Sequence, residues 1–141
     1  MMTEQERNLL AVELGMRSQY GVIVNTPDGD FTLESVDKYE EVSVEDGTTD
    51  LYDIEQVRPY LRPMSSITRE ELAQLKKDTC PFGTGTFDSK YLICPMNHFG
   101  EMISFTFMND ILIWLRKKHF DVLGMIEQDL ALEAKEGMYN E

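Results

Sequence analysis

The sequence contains few of the residues that cross-link small secreted proteins or bind phosphate groups. Only two cysteines, Cys80 and Cys94, occur among 141 residues, which is too few for a secreted disulfide framework. Lys and Arg together number 13 against 26 Asp and Glu, so the formal net charge is −13. Phosphate backbones and anionic membrane surfaces repel such a chain. We therefore expect protein partners or self-association, with no nucleic-acid partner and no membrane partner.

Long apolar runs, linkers and repeats are also missing. No apolar run approaches the roughly 20 residues of a membrane-spanning helix, and the first ten residues, MMTEQERNLL, lack a signal-peptide pattern. No Gly/Ser-rich linker separates the two halves of the chain. We therefore expect a cytoplasmic protein folded as a single compact domain over residues 1–141, with subregions 1–64 and 65–141.

The chain does contain enough apolar residues for a hydrophobic core. Hydrophobic residues make up 42% of the sequence and aromatic residues 10%, which is typical of a globular protein. A chain of this size buries about 68% of its unfolded surface, so folding requires no metal and no disulfide. We expect neither a cofactor nor a metal site.

The first half predicts one helix and a β meander. Thr3 followed by Glu6 fits a capping box, so a helix is predicted from there to about Ser18. Within it, Glu13 and Arg17 are spaced as an i,i+4 ion pair. Short β-rich runs separated by Pro-Asp-Gly and Asp-Gly turn signals predict an antiparallel meander or a partly open barrel. The four predicted strands are Tyr20–Asn25, Phe31–Val36, Tyr39–Val44 and Thr48–Tyr52.

A strap with two prolines and two arginines follows the meander, in the stretch VRPYLRPMSS at 57–66. Proline lacks an N–H donor, so Pro59 and Pro63 should not sit inside a central strand. We therefore predict a stiff segment that leaves the sheet. Arg58 and Arg62 can reach the carboxylates of the preceding strands, so we interpret them as internal counter-ions.

The second half predicts further β pairing and two helices. Thr68 followed by Glu71 is a second capping box. Residues 86–107 resemble β structure, because Ile103, Phe105 and Phe107 alternate with smaller or polar residues. Asn109 or Asp110 would cap the next helix. Its apolar stripe would include His119, and a last amphipathic piece is predicted around Val122–Ala134. The fold class is therefore α+β.

Three blocks of the sequence carry a resemblance to known proteins: RNLLAVELGMRSQYGVIV, YDIEQVRPYLRPMSSITREEL and HFDVLGMIEQDLALEA. They resemble segments of a group of small uncharacterised proteins of prophages and mobile elements in gut Bacteroidales. The matching positions are Tyr20 to Val22, Arg62 to Ser66 with Thr68, Glu70 and Glu71, and His119 to Asp121 with Gly124, Ile126, Leu130 and Ala131. The resemblance implies a phage-related accessory protein of a bacterial host cell, and it implies no activity.

Few constellations in the sequence could carry chemistry. Cys80, Cys94, His98 and His119 lack the close first pair that structural zinc sites use, so we expect no zinc. Cys94 with His98 is the only local basis for a cysteine nucleophile. Whether these four residues meet in space is not evident from their spacing.

The sequence leaves three functional hypotheses. The first is a non-enzymatic accessory protein that acts by protein–protein contact. The second is a small-ligand or nucleotide binder of the sponge type, and the third is a cysteine-dependent enzyme. The candidate binding residues are cations with one neighbouring aromatic residue: Arg58, Tyr60, Arg62, Arg116 and Lys117.

Overall fold

The protein has an α+β fold built on one six-stranded sheet. The computed structural model describes residues 2–45, 51–79 and 105–139, without the side chains of residues 79 and 105–108. The sheet order is β4-β3-β2-β1-β5-β6, and every pairing is antiparallel except the parallel pair of β5 and β6. The helices and strands are α1 Glu4–Arg17, β1 Ile23–Thr26, β2 Gly29–Val36, β3 Glu41–Val44, β4 Tyr52–Asp53, β5 Arg58–Leu61, α2 Arg69–Thr79, α3 Phe105–Lys117 and β6 Leu132–Glu133.

Helix α1 begins as the sequence predicts. The Thr3 hydroxyl accepts from the Glu6 backbone N–H at 3.1 Å, and the Glu6 carboxylate accepts from the Thr3 N–H at 2.9 Å. The helix ends one residue before the predicted Ser18 and continues as a 3₁₀ turn over Ser18–Tyr20. Gly21, at φ 72°, reverses the chain into β1.

The predicted meander is present with shifted bounds. β1 begins at Ile23, because Tyr20 belongs to the 3₁₀ turn. The predicted alternation in β3 is confirmed, since Val42 and Val44 are buried while Glu41 and Ser43 are half-buried. The fourth strand is only Tyr52–Asp53, and the earlier part of its predicted span lies outside the described residues.

The strap prediction was wrong for Pro59. Residues Arg58–Leu61 form β5, which pairs with β1 on one side and with β6 on the other. Pro59 stands opposite Val24 of β1, while β6 pairs only with Tyr60 and Leu61. The missing donor of Pro59 is tolerated because β6 begins only beyond it. The chain leaves the sheet after Leu61, so the strap begins later than predicted.

The second half contains the two predicted helices. The Thr68 capping box of α2 is confirmed by reciprocal bonds of 3.0 and 3.1 Å with Glu71. Helix α3 already begins at Phe105, so the predicted strand was wrong over residues 105–107, and Asn109 and Asp110 lie inside the helix instead of capping it. Alternation over a few residues does not exclude a first helical turn. The rest of the predicted 86–107 strand region lies outside the described residues.

The predicted amphipathic piece at Val122–Ala134 is a series of turns followed by β6. Positive φ angles of 70° at Gly124 and 60° at Asp129 interrupt any helix there. The Asp121 carboxylate accepts from the backbone N–H groups of Met125 and Ile126 at 2.7 and 3.0 Å. This side chain therefore fixes the turn that leads into β6.

Two hydrophobic clusters form the core. The first lies between α1 and the sheet and includes Leu10, Leu14 and Val24. The second joins the strap to α2 and α3 and contains Ile67, Leu75, Ile111, Leu115 and Phe120. Because the clusters are distinct, the contacts between them determine how the two parts of the molecule are held together.

Candidate functional site

The structure gives the five candidate binding residues different partners within the protein. Arg58 donates to the backbone carbonyls of Glu55, Val57 and Asp129 at 2.9–3.0 Å. Its counter-ion interpretation is corrected accordingly, because the bonds found for its guanidinium go to main-chain oxygens and not to carboxylates of the preceding strands. The bond to Asp129 connects β5 to the turn that precedes β6.

Arg62 is paired inside the protein, as predicted, but with a different carboxylate. Its two terminal nitrogens each lie 2.7 Å from a carboxylate oxygen of Glu71, in a bidentate pair. Glu71 lies in α2 and not in the preceding strands. Hydrogen bonds from Arg62 and from Thr68 outweigh desolvation and lower the pKa of Glu71. The Arg62 guanidinium also stacks 4.1 Å from the Phe120 ring centre.

The remaining three candidates have partners other than the Glu71 carboxylate. Tyr60 is buried, and its hydroxyl donates to Asp30 at 3.0 Å. Lys117 is exposed, with its ammonium 6.0 Å from the Tyr20 ring centre. Arg116, its neighbour in sequence, is only 9% exposed, and its guanidinium turns inward to Glu13. The predicted cationic patch of Arg116 and Lys117 is therefore divided between the interior and the surface.

A buried ion-pair cluster connects α1 with α3. The Glu13 carboxylate accepts from Arg17 at 3.0 Å and from Arg116 at 2.6 and 3.3 Å. Arg17 is 0% exposed and also donates to the Phe120 carbonyl at 2.7 Å. Burial opposes ionisation of Glu13, yet the hydrogen bonds and charges of both arginines outweigh it, so the Glu13 pKa is lowered. Burial lowers the pKa of Arg17.

We call Glu13, Arg17, Arg62, Arg116 and Phe120 the arginine seam. Phe120 belongs to the second hydrophobic cluster, while Glu13 and Arg17 lie in α1, which covers the first. The sequence predicted only the Glu13–Arg17 pair, because Arg116 is 103 residues away from Glu13. Each guanidinium of the seam has a protein carboxylate as partner. The arrangement is therefore suited to joining two parts of the fold and not to binding an anionic ligand.

His119 lies beyond the end of α3 and not on its apolar stripe. Its φ of 69° closes the helix, since the Phe120 N–H reaches the Leu115 carbonyl at 3.0 Å. The imidazole stacks on Tyr139 with ring centres 3.7 Å apart. The Tyr139 hydroxyl donates to the Tyr60 carbonyl and accepts from the Ile23 N–H, and burial raises its pKa to about 12.

Of the four residues considered for zinc or cysteine chemistry, the structure describes only His119. Cys80, Cys94 and His98 lie outside the described residues. Within the described ranges, no group of three or more His, Cys, Asp or Glu side chains is arranged to hold a metal ion. The cysteine-dependent enzyme stays a prediction.

Two open cavities have cations in their walls. One, of about 480 Å³, is lined by Arg62, Glu71 and Lys135 among others. Arg62 is paired with Glu71, and Lys135 lies 3.3 Å from a carboxylate oxygen of Asp30. The second, of about 600 Å³, places Arg58 beside three acidic residues: Glu6, Glu55 and Asp129. Neither cavity presents the cationic surface that a nucleotide requires.

The outward side of α1 differs from the rest of this acidic chain. Its exposed residues beyond the first turn carry no charge, and the most apolar of them, Val12 and Met16, are 46% and 44% exposed. The charged residues of the same helix are half-buried or buried, except Glu4 in the first turn. We call this surface the outer face of α1; its members are Gln5, Asn8, Val12, Gly15 and Met16, together with Gln19 of the following 3₁₀ turn.

Gly15 occupies a position where the fold does not require glycine. Its φ is not positive, and a Cβ added there would meet no atom within 4 Å. A glycine inside a helix costs about 0.5–1 kcal/mol relative to alanine. No contact in the described part of the protein explains the glycine, and the space next to its Cα is open.

Comparison with known proteins identifies no relative: no family model, no curated protein and no solved structure matches the chain. No helix in the described ranges combines the length and apolar character that crossing a bilayer requires.

Proposed function

We propose that this is a non-enzymatic accessory protein that acts by protein–protein contact through the outer face of α1. The observation that carries the proposal is the uncharged, partly apolar surface of that helix on a chain of net charge −13. The phage-related setting and the bacterial cytoplasm belong to the proposal through the resemblance of three sequence blocks.

Burial and charge support the choice of this surface. Val12 and Met16 are both exposed and lie one helical turn apart, so they are neighbours on the helix surface. The other exposed large hydrophobic residues of the described ranges occur singly on separate segments: Tyr39, Leu51, Leu123 and Leu132. Apolar residues grouped within a polar surround mark contact sites more often than scattered ones do.

The alternative, a small-ligand or nucleotide binder, has less support. It depended on Arg58 with Arg62 and on Arg116 with Lys117 and Lys118. The three arginines of these clusters are bonded to protein carbonyls or carboxylates. A nucleotide would have to displace Glu71 from Arg62 or Glu13 from Arg116. Such a displacement would leave a carboxylate without its charge partner in a buried or half-buried position.

Affinity capture from the native bacterial host tests the proposal with three versions of the protein: wild type, Val12→Arg and Leu132→Arg. Leu132 is an exposed leucine on the edge strand β6, so its substitution controls for the loss of any surface apolar residue. We expect wild type and Leu132→Arg to retain the same bound proteins, or bound copies of this chain, and Val12→Arg to lose them. Equal retention by all three versions would contradict the proposal.

A further inference from the structure

We propose that the occupant of the outer face of α1 is a second copy of this chain, packed antiparallel about a twofold axis through Val12. This inference rests on the proposed function and names its partner. The argument comes from the order of residues along the helix, from charge and from Gly15.

The outer face is complementary to itself. At about 100° per residue, Met16 falls on one side of Val12, and Asn8 and Gly15 fall on the other. Leu9 borders the face on the Met16 side, half-buried and packed against the first hydrophobic cluster. A twofold axis through Val12 keeps each side opposite the same side of the partner and reverses the direction of the helix. In this arrangement Leu9 contacts the partner's Met16, an apolar pair, and Gln5 contacts the partner's Gln19, a pair of amides. Asn8 lies over the open space at the partner's Gly15.

The distribution of charge on α1 permits self-association through this face. Two chains of −13 each repel one another, so they can meet only where few carboxylates face each other. On α1 the carboxylate of Glu13 is buried, and Glu6 is engaged in the capping box. A basic partner would instead be recognised through exposed acids, which this face lacks beyond Glu4.

Gly15 allows the second copy to approach α1 closely. The space above its Cα is open, and a glycine allows the backbone of another helix, or a side chain such as Asn8 of the second copy, to approach. The face spans about 21 Å from Gln5 to Gln19. A contact of one helix with another is smaller than the roughly 1,200–2,000 Å² of a stable interface, so we expect a weak, reversible dimer.

Sedimentation equilibrium measures this directly from about 10 µM to about 1 mM, a range suited to weak association. We expect the wild-type mass to rise from monomer towards dimer. Val12→Glu and Val12→Lys should each stay monomeric, because like charges meet at the axis. A one-to-one mixture of the two variants should associate again, at least tenfold more tightly than either alone. Circular dichroism of each variant confirms that the helix is intact.

Gly15→Ala provides a second readout. The added methyl group favours the helix, so the melting temperature of the monomer should rise. The dissociation constant of the dimer should also rise, because the methyl group occupies the space that Asn8 of the second copy needs. A purely structural effect would change the stability of the monomer and that of the dimer in the same direction.

The inference is overturned if wild type is monomeric at about 1 mM, or if Val12→Glu dimerises as well as wild type. In either case, loss of captured host proteins by Val12→Arg alone would leave the proposed function standing with a different partner. Equal capture by all versions would remove the proposed function as well.

Discussion

The two ends of α1 bear similar ion-pair clusters in opposite environments. Near its start, Arg7 meets the carboxylates of Asp53, Glu55 and Glu40 at 2.8–3.3 Å, with partners that are 34–47% exposed. Near its end, Arg17 meets Glu13 where both side chains are at most 2% exposed. The two clusters show that the distance between the charged atoms does not by itself determine how much an ion pair contributes to the stability of the fold. Water screens the first cluster, whereas removal of one partner from the second leaves an uncompensated buried charge.

The largest effect is expected at the buried end. Glu13→Ala should lower the free energy of unfolding by about 3–5 kcal/mol, because it leaves Arg17 and Arg116 buried without a carboxylate. Chemical denaturation followed by fluorescence and circular dichroism measures this. Simultaneous replacement of Glu13, Arg17 and Arg116 by methionine is the control, and it should restore much of the loss. A loss below about 1 kcal/mol for Glu13→Ala would mean that the buried cluster contributes no more to stability than an exposed ion pair does.

Acid should act through the same carboxylate. The pKa of Glu13 is lowered in the folded state, so its contribution is present above the unfolded pKa of 4.5 and is lost as the pH falls through the lower folded pKa. Below pH 4.5 the stability of wild type should therefore fall more steeply than that of the methionine triple variant. Parallel pH profiles would contradict the assignment.

A medium effect is expected at Tyr139, whose hydroxyl lies between β1 and β5. Tyr139→Phe should cost about 1–2 kcal/mol, because the Tyr60 carbonyl and the Ile23 N–H lose their partner. The folded-state pKa of about 12 exceeds the reference value of 10.0, so the contribution of the hydroxyl is complete below pH 10 and lost towards pH 12. Thermal melts between pH 8 and pH 12 should therefore show less alkaline loss for Tyr139→Phe than for wild type. His119→Asn tests whether the ring stack contributes separately, since asparagine also tolerates the positive φ.

The smallest effect is expected at the exposed end of α1. Arg7→Ala should shift the melting temperature far less than Glu13→Ala does, and the shift should shrink further as salt is added. Melts at low and high ionic strength measure both. A salt-independent loss comparable to that of Glu13→Ala would erase the distinction between the two clusters.

Local sequence signals were sufficient to predict much of the first half of the fold and the residues at which α1 and α2 begin. Thr3 with Glu6 and Thr68 with Glu71 are separated by three residues, so the sequence contains the whole capping box. The α+β class follows from similar short-range patterns, whereas the exposure of Val12 and Met16 on α1 was not predicted from the sequence. The beginning of α3 could not be placed, because alternating aromatic residues at 105 and 107 also suit a helix.

The seam could not be read from the sequence for a different reason. Its bonds join residues that are distant in the chain, such as Arg17 with Phe120 and Glu13 with Arg116. An arginine near the end of a helix is usually solvated, so nothing local distinguishes Arg116, which turns inward, from Lys117, which does not. The partner of Arg62 was predicted wrongly for the same reason. Glu71 in the following helix is as near to Arg62 in sequence as the carboxylates of the preceding strands, so the sequence does not distinguish them.

The two-residue length of β4 and β6 has a consequence for how the protein behaves when concentrated. These strands close the two sides of the sheet and offer almost no free main chain for another copy to extend. Growth of fibrils by strand addition at these two described edges is therefore disfavoured.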